Sequence, residues 1–156
     1  MLFRSFKYYK QLENCTIFYH DCDIIFTRKP ELTNFICDRV WYLSDTNNYI
    51  NYDYIVSKGY NLYDRMCDIV GIDKLIPKLM NSNSGGAQYV MKNIDYKYWE
   101  KVESDCEKMY SEITEVMNAV LKLDTEWHGL QIWCADMWAI LWNAWLRGNE
   151  IGRAHV

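Results

Sequence analysis

No apolar run in this 156-residue chain approaches the roughly 20 residues that a membrane-spanning helix needs, and no secretory signal is visible. Its six cysteines, Cys15, Cys22, Cys37, Cys67, Cys106 and Cys134, form no C-x-x-C pair and no regular framework. That excludes a disulfide scaffold and leaves zinc without a supporting spacing. The thiols read as reduced and mostly buried, as in a cytoplasmic protein. Positive charge is in deficit, with 17 Lys and Arg against 21 Asp and Glu and a net charge of −4. This balance argues against general nucleic-acid binding. Repeats, low-complexity tracts and interdomain linkers are also missing, so one domain at most is expected, or part of a larger one.

What is present is apolar and aromatic. Half the residues are hydrophobic, with 13 Tyr and 7 Trp among them, which is enough to build a core and argues against disorder. The two ends read differently. Ile151-Gly-Arg-Ala-His-Val156 translates a common short-read sequencing adapter, and the adapter bases before it fit the end of the Glu150 codon. Met1-Leu-Phe-Arg-Ser5 translates the opposite-strand counterpart, with GTG as the start codon. Scars of this kind are set aside before fold reasoning. The expectation is that residues 6–149 are biological, an internal piece of a longer protein, and that residues 1–5 and 150–156 lie outside it.

Along the chain, Thr16–His20 reads as a buried strand ending at Asp21 and Asp23. Ile24-Ile25-Phe26 leads on to a polar break over 27–30, and residues 31–38 form a short helix or irregular connection. A second strand over 40–43 follows. Ser44 is then a good N-cap and Asp45 a good first-turn acid for a helix running to about Lys58, with Gly59 as its stop. A helix over 63–70 ends at Gly71, and Pro77 leaves residues 72–80 ambiguous. The polar loop 81–86 leads into a helix beginning near Ala87. From Tyr96 to about Lys122, the positions Val102, Cys106, Met109, Ile113, Val116, Met117 and Val120 keep helical spacing. On that helix Glu103, Asp105, Glu107 and Lys108 read as a solvated face. Residues 127–133 form a loop with a possible short strand. Ala135–Leu146 is the last helix, with Trp138, Leu141, Trp142 and Trp145 on one core-facing side and Gly148 ending it.

The stretch I-F-Y-H-D-C-D-I-I-F over 17–26 carries the chemistry. A strand puts residues i and i+2 on one face, so Asp21 and Asp23 can aim two carboxylates at one point while Cys22 faces away. Hard cations such as Mg²⁺ or Mn²⁺ suit one or two carboxylates plus phosphate oxygens. The structural alternative is a plain acidic turn. His20 reads as a packed neighbour rather than a ligand.

Apolar strand, D-x-D, apolar stretch and then Pro30 together resemble the metal-binding strand end of GT-A-type glycosyltransferases. The resemblance implies an α/β, helix-rich, partial GT-A-like (Rossmann-like) domain lacking its N-terminal nucleotide-binding strands. Residues 6–149 would be its C-terminal portion. It further implies a divalent metal held by Asp21 and Asp23, a nucleotide-diphospho-sugar donor, and a glycan or other hydroxyl acceptor. The family carries a glycine-containing loop after the metal motif, and Ser84-Gly85-Gly86-Ala87-Gln88-Tyr89 fits it. Gly85, Gly86, Gln88 and Tyr89 then shape a substrate pocket, with free N–H groups at the following helix N-terminus; an ordinary flexible loop is the alternative. The family also places an acid at a helix start, which removes the acceptor proton in inverting members. Asp136, in Cys134-Ala135-Asp136-Met137-Trp138, fits that position, and a simple first-turn acid is the alternative.

Ser44 and Asp45 are further substrate contacts on this reading, although helix capping explains them fully. Trp127 and Trp133, in irregular context, are better placed for sugar contact than the tryptophans of the last helix. The late histidine that many members use is missing, because His155 lies in the adapter and His128 precedes Asp136. Two other classes remain open. One is a haloacid-dehalogenase-type phosphatase, which also places D-x-D after a strand and whose second motif V-W-Y-L-S could mimic. The other is a non-catalytic carbohydrate-binding or structural protein.

Overall fold

Four short strands and six helices carry the fold in the computed structural model, which describes residues 13–21 and 24–153. The strands are β1 (Thr16–His20), β2 (Trp41–Ser44), β3 (Gly86–Lys92) and β4 (Ile151–Arg153). They form one mixed sheet in the order β1-β3-β2-β4. β3 runs antiparallel to both β1 and β2, and β4 lies parallel to β2. The architecture is mixed α/β, as the sequence implies.

β3 corrects the expectation of a helix near Ala87. The run Gln88-Tyr89-Val90-Met91 contains residues that suit a pleated surface, and too short a run gives helical periodicity no grip. Flanked on both sides, its backbone groups find ladder partners from Thr16↔Lys92 to His20↔Gln88 and at Tyr42↔Val90 and Leu43↔Tyr89. Alternation sends Tyr89 and Met91 into the core with Tyr19, Trp41 and Leu43.

The helices are α1 (Asn47–Ile50), α2 (Tyr52–Ser57), α3 (Leu62–Val70), α4 (Leu75–Leu79), α5 (Tyr96–Leu121) and α6 (Ala135–Leu146). The continuous helix expected to about Lys58 is broken into α1 and α2 at Asn51. That residue has extended backbone, and its side-chain oxygen accepts the Tyr54 amide at 2.7 Å, so it caps the second piece. Gly71 closes α3 in the left-handed conformation (φ +72°), which glycine adopts without steric cost. Pro77 lies inside α4, a single turn. Residues 127–133 hold no strand; the chain there passes into a 3-10 turn at Ile132–Cys134.

α5 and α6 build the core against one face of the sheet. Asp95 caps α5 by accepting the Tyr98 amide at 2.8 Å, and the Arg147 guanidinium grips the same carboxylate with both terminal nitrogens. The solvated face expected on α5 fails at Asp105, which is 3% exposed. Its carboxylate accepts from Lys101 at 2.7 Å and from Asn143 of α6 at 2.8 Å. A partner 38 residues away thus draws an acid inward. α6 is apolar around its whole circumference rather than on one side, with Met137 through Trp145 all buried. That is the signature of a helix enclosed by its neighbours.

Residues 150–156 were set aside as adapter, yet Ile151 pairs with Trp41 and its side chain is buried. A β-branched residue with free backbone groups suits the open side of β2. Of the described cysteines, none in a disulfide with another, Cys67 and Cys134 are buried and Cys106 half-buried, whereas Cys15 and Cys37 lie at the surface. Among the described residues, no helix is long and apolar enough to cross a membrane.

Candidate functional site

The antiparallel insertion of β3 gathers the C-terminal ends of β1 and β2 beside its own N-terminal end. His20 lies opposite Gln88 and Ser44 opposite Gly86. Asp21, the residue after β1, therefore leaves the sheet next to the Gly85–Gly86 turn. The β2–β3 ladder slips between Leu43 and Ser44, a bulge accompanied by left-handed backbone at Ala87 (φ +64°). A residue with a Cβ is strained in that region, and such strain gathers at functional sites.

Ser44 holds the bulge together. Its hydroxyl donates to the Gly86 carbonyl and accepts the Gln88 amide at 3.3 Å. It does not cap the following helix, whose N-cap is Thr46, and this corrects the capping reading of Ser44. The two glycines are needed for close approach. A Cβ on Gly85 would stand 2.6 Å from the Ser44 carbonyl oxygen. One on Gly86 would strike the Met137 side chain and stand 2.8 Å from the Tyr89 hydroxyl. The first turn of α6 can therefore close down on the sheet end. Because β3 replaces the expected helix, the free N–H groups of a helix N-terminus are not part of this turn.

Asp136 occupies that first turn of α6, and one of its oxygens accepts the Met137 amide at 2.8 Å. Burial pushes its carboxyl above the ordinary carboxylate range, the negative charge of Asp21 adds to the effect, and the Met137 hydrogen bond opposes it. The competition between helix terminus and burial thus goes to burial. Asp21 also acts on Tyr49 and Cys134, so its charge reaches the start of α6 and the α1 helix alike. Burial, then the charges of Asp136 and Asp21, push the Cys134 thiol up to about 12, which makes it inert as a nucleophile.

Tyr89 is 1% exposed, and its hydroxyl has no hydrogen-bond partner of good geometry. The Ala87 amide leans toward the oxygen, but an N–H cannot accept the phenol's proton. Burial, reinforced by the charge of Asp136, holds this phenol well above its usual range, so the hydroxyl keeps its proton.

Other expected residues fall elsewhere. Asp23 lies outside the described residues, so the two carboxylates of D-x-D are not seen together. Among the described residues no group of three or more His, Cys, Asp or Glu stands in metal-binding array. Asp45 accepts the Asn47 amide at 3.2 Å and so supports the start of α1. His20 bonds the Asp21 carbonyl at 2.7 Å and packs against the rings of Phe18 and Phe26, as a structural neighbour. Gln88 lines a cavity of about 840 Å³ on the opposite face of the sheet, with Phe18, Phe26, Phe35 and Tyr42. Trp127 is tied down, its indole N–H donating to the Lys58 carbonyl at 3.0 Å. Tyr49 joins the site without a sequence signal, because only the β2–α1 turn brings it near Asp21 and Cys134. Neither a scan against protein-family models nor searches of curated proteins and of solved structures found a match for this chain.

Proposed function

We propose that this chain carries the metal and acceptor side of a metal-dependent glycosyltransferase, which moves a sugar from a nucleotide-diphospho-sugar to a hydroxyl acceptor. The supporting observation is the meeting of Asp21, Gly86 and Asp136 at one end of the sheet, from three separate parts of the chain. Asp21 and Asp136 repel each other, a setting that fits a hard divalent ion such as Mn²⁺ or Mg²⁺. Asp21 would hold that ion together with Asp23. Once bound, it supplies positive charge against which a diphosphate can leave.

Asp136 takes the acceptor's proton on this reading. A carboxyl raised by burial binds a proton more readily than a solvated one, which brings it closer to the affinity a base needs near neutral pH. Gly86 keeps the turn slim enough for a ligand to approach that carboxylate. The Tyr89 proton, lacking an acceptor, is available to a bound oxygen after a small opening of the turn. On this reading the donor nucleotide would be held by strands other than the four described here, and a cytoplasmic location is part of the same proposal. The phosphatase reading is weaker, since the Ser44 hydroxyl that its second motif would use is engaged by Gly86 and Gln88.

The parent reading frame, recovered from its source DNA and expressed whole, provides the test. Mn²⁺-dependent hydrolysis of a panel of sugar nucleotides is expected, lost in Asp21→Asn and stopped by chelator. Turnover of p-nitrophenyl phosphate with no sugar-nucleotide hydrolysis would replace this reading with the phosphatase.

A further inference from the structure

The sheet has a second face. Tyr19, Leu43, Tyr89 and Met91 point into the core under α5 and α6, so alternation turns Phe18, Tyr42 and Val90 the other way. The register sets these three in one row, with Val90 of β3 between Phe18 of β1 and Tyr42 of β2. Over them runs the connection from Ile24 to Asp38, whose one regular piece is the Thr33–Phe35 turn. It is tied down at both ends. Phe26 packs on Phe18 and His20, its ring centroid 5.9 and 5.0 Å from theirs. Phe35 packs on Tyr42 at 4.8 Å, and Asp38 accepts from the Tyr42 hydroxyl and the Lys92 ammonium. The span between these ties stands off the sheet and leaves the cavity of about 840 Å³.

We propose that this cavity binds a planar aromatic acid, its ring over Val90 between the Phe18–Phe26 and Tyr42–Phe35 ring pairs and its anionic group at Arg28 and Lys29. A volume of that size holds a small organic molecule. β1 and β2 lie two strand spacings apart, about 9.5 Å, so a flat ring midway stands about 5 Å from either wall, a distance at which aromatic pairs attract. Val90 lacks the bulk to close the gap between the two walls. Four rings in two facing pairs favour a flat π-system over a flexible acyl chain, which loses more rotamer freedom on binding. Charge at the mouth selects an anion. Arg28, Lys29 and Glu31 line the cavity and are exposed, two cations against one acid in a chain whose net charge is −4. Gln88, two residues before Val90 on the same face, offers an amide to a polar substituent of the ring. This face is turned away from the core that α6 and its Asp136 join, so the proposal stands independently of sugar transfer.

The test titrates the full chain by calorimetry with 2-naphthoate, its neutral counterpart 2-naphthalenemethanol, and decanoate. 2-Naphthoate is expected to bind at one site, and the other two about tenfold more weakly or worse. Arg28→Gln combined with Lys29→Gln should weaken 2-naphthoate about tenfold and leave the alcohol unchanged. Val90→Phe fills the recess and should abolish binding. Should the sheet reject that larger ring, Phe26→Ala removes one wall at a residue already 42% exposed, and should weaken 2-naphthoate about tenfold in a chain still folded by circular dichroism. The proposal is overturned if 2-naphthoate does not bind, if decanoate or the alcohol binds as tightly, or if Phe26→Ala binds it as tightly as the original. It is overturned equally if sedimentation shows the chain self-associating through this face, with Phe26→Ala monomeric. None of these readouts involves a metal or a sugar nucleotide, so failure here leaves the transferase reading standing.

Discussion

Tyr89 and Asp136 each carry a burial cost that packing alone does not explain. Removing a buried hydroxyl that lacks an acceptor relieves a desolvation penalty of about 1–3 kcal/mol. Tyr89→Phe should therefore hold or raise the midpoint of urea unfolding, and a clear fall would reveal a native acceptor for that proton. For Asp136 the sign follows from its raised carboxyl. The folded state binds this proton more tightly than the unfolded chain, so the contribution to stability is complete below the ordinary value of 3.8 and disappears as pH rises through the folded value. Above that value the folded chain carries the cost of a buried carboxylate repelled by Asp21. Asp136→Asn is expected to melt higher than the original at pH 7, with the gap closing as the buffer approaches pH 4, and, on the proposed reading, to abolish sugar transfer. A gap that stays constant with pH would mean that Asp136 does not titrate as its surroundings dictate. Stabilisation on losing a polar group is the usual mark of a residue kept for its chemistry.

Between elements, the tie that matters most is Asp105 of α5 to Asn143 of α6. In Asp105→Ala, Lys101 still reaches the Val70 carbonyl and Asn143 still reaches the Ala139 carbonyl, both at 2.9 Å. The loss should thus stay at about 1–3 kcal/mol. A double-mutant cycle with Asn143→Ala should show coupling of about 0.5 kcal/mol or more, whereas simple additivity would deny the contact any weight. This pair also shows what the sequence can and cannot disclose. α5 and α6 are legible to within a residue, because their apolar positions recur over several turns. Asp105 looks solvated within a charged run, and only Asn143, the one amide among the apolar residues after Asp136 in the last helix, hints that a polar partner is wanted inside. β3 is illegible for a different reason: seven residues of ambiguous pattern become a strand because two distant strands supply hydrogen bonds to both of its sides. At the site, the family resemblance alone singles out Gly85, Gly86 and Asp136 in the sequence. The left-handed Ala87 and the placement of Tyr49 are not, since both arise from how β2 meets β3.

Across the whole molecule, the chain's last segment offers a direct test of what belongs to the fold. Ile151 contributes one largely buried side chain, and the Trp41 amide donates to the Glu150 carbonyl at 2.9 Å. A chain ending at Asn149 should lose about 1.5–3 kcal/mol and still unfold in one cooperative transition, as read by circular dichroism. Collapse of that transition would make residues 150–156 integral to the fold rather than an appendage. The sheet order carries a consequence for assembly as well. β1 and β2 are neighbours in the chain but not in space, and the lane between them is filled only by residues 86–92. Until the ribosome has delivered that span, neither strand has its ladder partner. The early chain must wait with unpaired amides, and pairing over such sequence distances is slow and open to aggregation. The same lane that draws the acids together thus makes the nascent chain a natural client for chaperones.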